Sequence, residues 1–209
     1  VFEEVGQDAR VVHDDEGKNL VLRKIAGECE KDLKVFKGNL KKQGYISEVK
    51  SVLSEFAQYG VDFERLDDFM KEVPPESYLH YKLDDIRTIY EKFEEYLSEK
   101  YITKEEMLDV LSDAVPYSDI LKGSVVAMDG FTGFTPVQNR LIGELFSVCE
   151  KVMITVTMDG RENPYVYEHP YQIFALGKQM VTSLMKIAGE KKTEIEEPIC
   201  LFERPVYRF

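Results

Sequence analysis

Apolar residues recur at helical spacing through most of the first 120 positions. From about Gly17 to Glu30, Val21, Leu22, Ile25 and Cys29 share one face. From Tyr45 to Tyr59 the repeat is Ile46, Val49, Val52, Leu53 and Phe56, a 3.6-residue period that Gly60 is placed to stop. Asp62 is a helix cap for a short segment bearing Phe63, Leu66, Phe69 and Met70, and Pro74-Pro75 breaks the chain after it. A long helix is predicted from about Ser77 to Lys100 through Leu79, Leu83, Ile86, Tyr90, Phe93 and Leu97. Thr103 and Glu106 have capping-box spacing ahead of Met107, Leu108 and Leu111. The apolar stripes read as core and the acidic outer faces as solvated surface.

The pattern changes at Gly123. Ser124–Met128 and Val152–Met158 are short apolar runs rich in β-branched residues, as expected of buried strands. Between them lie the loop Asp129-Gly130-Phe131-Thr132-Gly133-Phe134 and a helix opened by Thr135, Pro136 and Gln138, running to about Glu150. Strand, loop, helix and strand in that order predict adjacent parallel strands, covered on both faces and joined by a right-handed crossover. A helix over about Pro170–Ala188 and a short strand near Ile195–Phe202 complete the reading. The fold class is therefore α/β with a large all-helical part. The expected division is residues 1–14 as the end of a preceding segment, 15–120 helical, and 121–209 α/β.

Charge sharpens that division. The 209 residues carry a net charge of −12; residues 1–120 hold 17 basic and 28 acidic side chains, and residues 121–209 hold 10 and 11. Such acidity argues against a free-standing nucleic-acid binder, though not against one basic stripe. Lys31, Lys34, Lys37, Lys41, Lys42 and Lys50, set against Asp32 and Glu48, form such a stretch, either a phosphate-contacting surface or a solvated loop. No apolar run is long enough to span a bilayer and no signal-peptide pattern is present. Three scattered cysteines, Cys29, Cys149 and Cys200, without a CxxC or Cys/His cluster, fit a reducing cytosol and read as small buried residues. His13, His80 and His169 are isolated, so no nucleophilic triad or metal site is expected from them. A chain starting at Val1 and stopping in a strand-like pattern reads as a piece of something longer.

The candidate chemistry gathers at the first strand's end. Asp129 stands where open α/β sheets bind ligands, and a carboxylate there can hold Mg²⁺ on a nucleotide phosphate; Asp159 ends the second strand similarly. The same Asp-Gly pairs are also ordinary turns. The two Gly-Lys pairs, Gly17-Lys18 and Gly177-Lys178, lack the earlier glycine and following Ser or Thr of a phosphate-binding loop, and Gly130 stands where a water-activating Glu would be. The stretch is expected not to hydrolyse ATP by itself. Phe131 and Phe134 either fold back into the core or offer faces for stacking on bases, with Thr132 and Gln138 as hydrogen-bonding neighbours.

The segment SVVAMDGFTGFTPVQNRLIGELFSVCEKVMITVTMD resembles part of the AddB family, the B subunit of the bacterial ATP-dependent helicase/deoxyribonuclease. LVLRKIA, the stretch Ile46–Phe56 and YEHPYQIFALGKQM are similar too, and the DGF-x-GFTP-x-Q loop is the most specific element. The resemblance implies an N-terminal portion of a long subunit that works in the cytoplasm with an AddA-like helicase/nuclease subunit, processing double-strand DNA breaks for homologous recombination. It implies a partial RecA-like lobe of the superfamily-1 helicase kind, with residues 15–120 as a helical insertion and Asp129 at a degenerate Walker B position. DNA would be contacted by Phe131, Thr132, Phe134 and Gln138, and by Lys37, Lys41 and Lys42. ATP, Mg²⁺ and a 4Fe–4S cluster would belong to the parent subunit, with no cofactor in this portion. The rival readings are a protein-interaction module without a DNA role, and a Mg²⁺-dependent hydrolase using Asp129 and Asp159.

Overall fold

The structure is a computed structural model that describes residues 1–5, 11–13, 15–39, 42–97, 101–159 and 161–201. It is mostly helical, with two small parallel sheets, a mixed α/β protein. The chain divides into two compact units, residues 1–117 with 135–141, and residues 118–134 with 142–209. Among the described residues no helix is long and apolar enough to cross a membrane.

The first unit contains α1 (Phe2–Val5), β1 (Val11–His13), α2 (Asp15–Cys29), α3 (Gln43–Tyr59), α4 (Phe63–Glu72), α5 (Tyr78–Leu97), β2 (Tyr101–Thr103) and α6 (Lys104–Ala114). Its core is built by the stripes on α2 to α5: Leu22, Ile25, Cys29, Ile46, Val49, Leu53, Leu66, Ile89 and Phe93 are all buried. The Cys29 thiol has its pKa raised, first by burial. The predicted punctuation is present. Gly60 closes α3 in the left-handed region at φ 62°, the Asp62 carboxylate accepts from the Arg65 amide at 2.9 Å, and Thr103 and Glu106 exchange bonds of 2.7 and 3.2 Å. Two core expectations fail. Phe69 and Leu79 are exposed, because each lies on the flank of its helix's apolar stripe rather than along its centre. The pairing of β1 with β2, parallel and joining Val11 to Tyr101, was not anticipated; three-residue strands carry no readable period.

One buried charge organises this unit. Asp85 is 1% exposed, and its carboxylate accepts from the backbone amides of Lys34, Val35 and Phe36 at 2.8, 2.7 and 2.8 Å. Three amide donors replace the water a carboxylate would lose on burial. The loop after α2 is thereby fixed to α5, with Leu33 and Phe36 sunk into the core and Lys31, Lys34 and Lys37 left outside.

The second unit contains β3 (Val125–Met128), most of α7 (Pro136–Val148), β4 (Lys151–Ile154) and α8 (Ala175–Lys191). β3 and β4 are adjacent and parallel, as predicted, with Val126 opposite Val152 and Met128 opposite Ile154. β4 is shorter than expected. α7 meets α8 closely at Gly143, where a Cβ would lie 3.2 Å from Ile187 Cγ2, and Lys191 Nζ bonds Glu144 at 2.7 Å. α8 begins at Ala175 rather than near Pro170, since residues 169–175 close successive turns, Gln172 to His169 and Ala175 to Gln172, before the helix can run. Residues 195–201 form no strand; the end of that predicted strand, Phe202, lies outside the described residues. The expectation of cover on both sheet faces also fails: no residue of either strand is fully buried, and burial alternates along β3. Val126 and Met128 are the half-buried positions of β3, and Val125 and Ala127 the exposed ones.

Candidate nucleic-acid interface

The loop 129–134 leaves the carboxyl end of β3. Gly130 takes φ 81°, which a side chain would strain, so the chain turns sharply there; Gly133 has an ordinary φ and open space around it. The Asp129 carboxylate accepts from the Thr155 hydroxyl just beyond β4, which ties the loop's start to the neighbouring strand. Phe131 and Phe134 pack on one another, ring centroids 5.0 Å apart at 35°. Phe134 is half-buried, while Phe131 is 42% exposed and Thr132 is exposed beside it. The inner ring is thus a support and the outer ring a surface. Thr135 and Gln138 close the capping box of α7: the Thr135 amide donates to Gln138 Oε1 at 2.9 Å, and the Gln138 amide to Thr135 Oγ1 at 3.4 Å. Of the Gln138 amide group, the oxygen is committed to the cap.

Lys37 and Lys42 are exposed, and Lys42 Nζ donates to Asn39 Oδ1 at 2.9 Å; Lys41 lies outside the described residues. Lys34 pairs with Asp84 at 2.9 Å and lies over the Tyr81 ring. Asp159 is paired with Arg161, whose guanidinium holds its carboxyl down at about 2. Among the described residues, no three His, Cys, Asp or Glu side chains are grouped to hold a metal ion; of the three free thiols Cys29 is buried as expected, whereas Cys149 is half-buried and Cys200 exposed.

The residues present do not fit a nucleotide phosphate by themselves. Both Gly-Lys pairs lie inside helices, at α2 and α8, rather than in a loop whose amides converge. Lys18 and Lys178 are buried, and Lys178 is spent on Glu162 at 2.5 Å.

Sequence reading passed over a mixed polar and apolar cleft in the helical unit. It is small, and Leu22, Leu53 and Phe93 line it together with Lys18, Lys50, Tyr90 and Glu94. Burial, and secondarily the Glu106 carboxylate, pushes Glu94 up to about 7; burial also raises Tyr90, whose hydroxyl donates to the Val61 carbonyl. Its signal in the sequence is faint, because Glu94 differs from other surface glutamates only by following Phe93 on the core edge. A carboxyl whose folded pKa exceeds its unfolded one stabilises at low pH and loses that contribution as pH rises, here between about 4.5 and 7. Glu94→Gln is therefore expected to stabilise the protein at pH 8 and to change little at pH 4.5. After discounting for partial solvent exposure, the gain is on the order of 1–2 kcal/mol. Urea denaturation at the two pH values measures it; an equal effect at both would show that Glu94 does not titrate in this window.

Comparison with known proteins bears on all 209 residues. The family described as "ADDB, N-terminal" matches residues 1–209. The chain is 40% identical over 200 residues to the B subunit of the ATP-dependent helicase/deoxyribonuclease of Lachnoclostridium phytofermentans, covering 95% of this chain and 17% of that protein. Proteins of the same name from Thermoanaerobacter sp. strain X514 and Clostridium acetobutylicum are 34% and 32% identical, each over 100% of this chain and 18% of their own length. The chain thus spans less than a fifth of these relatives. With a match running from its first residue to its last, the chain belongs to the AddB family, in the N-terminal region of that subunit.

Proposed function

We propose that residues 1–209 act within the B subunit of an ATP-dependent helicase/deoxyribonuclease that processes double-strand DNA breaks for recombination in the cytoplasm, and that the loop 129–134 contacts single-stranded DNA. In this reading residues 121–209 are part of a RecA-like lobe and residues 15–120 a helical insertion. The subunit pairs with an AddA-like partner, and the nucleotide, metal and iron–sulfur chemistry lies elsewhere in the complex. One observation carries the DNA reading. An aromatic ring, Phe131, stands exposed on a second ring at the carboxyl end of a parallel strand, where α/β sheets place ligands. Base–aromatic stacking tolerates any sequence, which suits a surface that must pass a moving strand. Exposed Lys37 and Lys42 supply charge for phosphate in the helical unit.

The test uses the assembled two-subunit complex and a labelled single strand. Phe131→Ala is expected to weaken strand binding about 5- to 150-fold, the loss of one stacked base at about 1–3 kcal/mol, without lowering the melting midpoint. Phe134→Ala is expected to lower both, since it removes the support. Unchanged binding by Phe131→Ala would overturn the assignment. The interaction-module reading is favoured by the exposed Tyr171, Ile173 and Leu176, and it gains if both variants bind DNA normally but the subunits separate.

A further inference from the structure

Four elements of the helical unit meet at the cleft around Glu94: α2 brings Lys18, α3 Lys50, α5 Tyr90 and Glu94, and the end of β2 Thr103. Thr103 is 4% exposed and has three tasks there. It pairs with His13 in the β1–β2 ladder, its hydroxyl caps α6, and its amide donates to the Glu106 carboxylate at 2.7 Å. One carboxylate is therefore committed to the junction of β2 and α6, while a second, Glu94, lines the same cleft half-buried. Burial first and Glu106 second push Glu94 up to about 7, and Lys18 and Lys50 do not bring it back down. Tyr90, held neutral first by burial and then by Glu94, Glu106 and Asp62, donates to the Val61 carbonyl.

We propose that Glu94 is a proton switch for the β1–β2 ladder: protonated, it leaves Thr103 seated and the strands paired; ionised, it sets a second negative charge near Glu106 and lets Thr103 and the ladder part from α5. An ionised carboxylate in a closed cleft gains by reaching water, and the side that yields is the one held least. Leu22, Leu53 and Phe93 line the cleft and belong to the core that joins α2, α3 and α5, whereas β1 and β2 share three residue pairs. The closed cleft holds Glu94 above its ordinary value of 4.5, so opening becomes easier as pH rises from about 4.5 to about 7 and levels off above that. None of this rests on the DNA reading, which concerns residues of the other unit.

Native-state hydrogen exchange of the full-length subunit tests it, read by mass spectrometry in sub-denaturing urea and corrected for the intrinsic pH dependence of exchange. Peptides over 101–106 are expected to exchange ahead of peptides over 46–53 in α3, by an opening that urea does not promote, the mark of a local event. That opening is expected to become about tenfold more populated between about pH 5 and about pH 7.5. Glu94→Gln is expected to abolish the rise, and Glu95→Gln, the exposed neighbour on α5, to keep it. The proposal is overturned if 101–106 open only together with 46–53, if their opening ignores pH, or if Glu94→Gln leaves the rise in place. A rise abolished equally by Glu95→Gln would also overturn it, since loss of any negative charge on α5 would then serve.

Discussion

Asp85→Ala is expected to destabilise the helical unit by about 3–5 kcal/mol, enough to unfold a marginal domain. The carboxylate holds three consecutive amides, and the Phe36 amide is buried with it. Alanine leaves those donors facing a space that was built for an anion, and leaves Leu33 and Phe36 without the tether that seats them in the core. Asp85→Asn keeps the shape and one accepting oxygen but turns its amide NH₂ toward donors, so it is expected to lie between wild type and alanine. Urea denaturation of the purified chain, followed by far-ultraviolet circular dichroism, gives the ranking. A midpoint for Asp85→Ala within error of wild type would show that the amides find water instead. Asp84→Ala is the contrast: its pair with Lys34 is largely exposed, and such pairs contribute about 0–1 kcal/mol.

The pair of buried Lys178 and exposed Glu162 should respond unequally to losing either partner. The Lys178 side chain is 5% exposed and that of Glu162 39%. Removing Glu162 leaves a buried ammonium without its carboxylate, whereas removing Lys178 leaves a carboxylate that already reaches water. Glu162→Ala is expected to destabilise the second unit by about 3 kcal/mol, and Lys178→Met by less than about 1 kcal/mol, because methionine restores the volume and asks for no partner. The same denaturation assay decides it. If Lys178→Met is the worse of the two, the ammonium is favourable in its own right and the asymmetry argument fails.

How much of this was legible in the sequence depended on range. Thr103 with Glu106 and Thr135 with Gln138 were legible because a capping box is closed within four residues. The apolar faces of α2, α3 and α5 were legible because a helix repeats its own period. Asp85 was not, because its three donors lie about fifty positions away; the available signal was its place four residues before Ile89 and eight before Phe93, on the buried side of α5. The start of α8 was misread because Pro170 suits a first helical turn, yet the chain there closes turns instead. At the loop, the pair Phe131 and Phe134 was legible as a feature, but which ring faces outward was not. That depends on how the chain folds after Gly130 turns it, which the spacing of the two rings does not encode. The openness of one sheet face was illegible for a related reason: apolar strands announce that they will be covered, not by what.

The pairing of β1 with β2 has a consequence for the order in which the molecule assembles. Val11 meets Tyr101, so one short ladder closes a loop of some ninety residues that contains α2 to α5. Three residue pairs cannot offset the entropy of closing so long a flexible chain. Once the four helices have condensed on Leu22, Ile89 and their neighbours, the ends arrive already near each other and little entropy is left to lose. The ladder is therefore the last part of the helical unit to form and the first to open. It works as a latch that reports whether the helices behind it have folded.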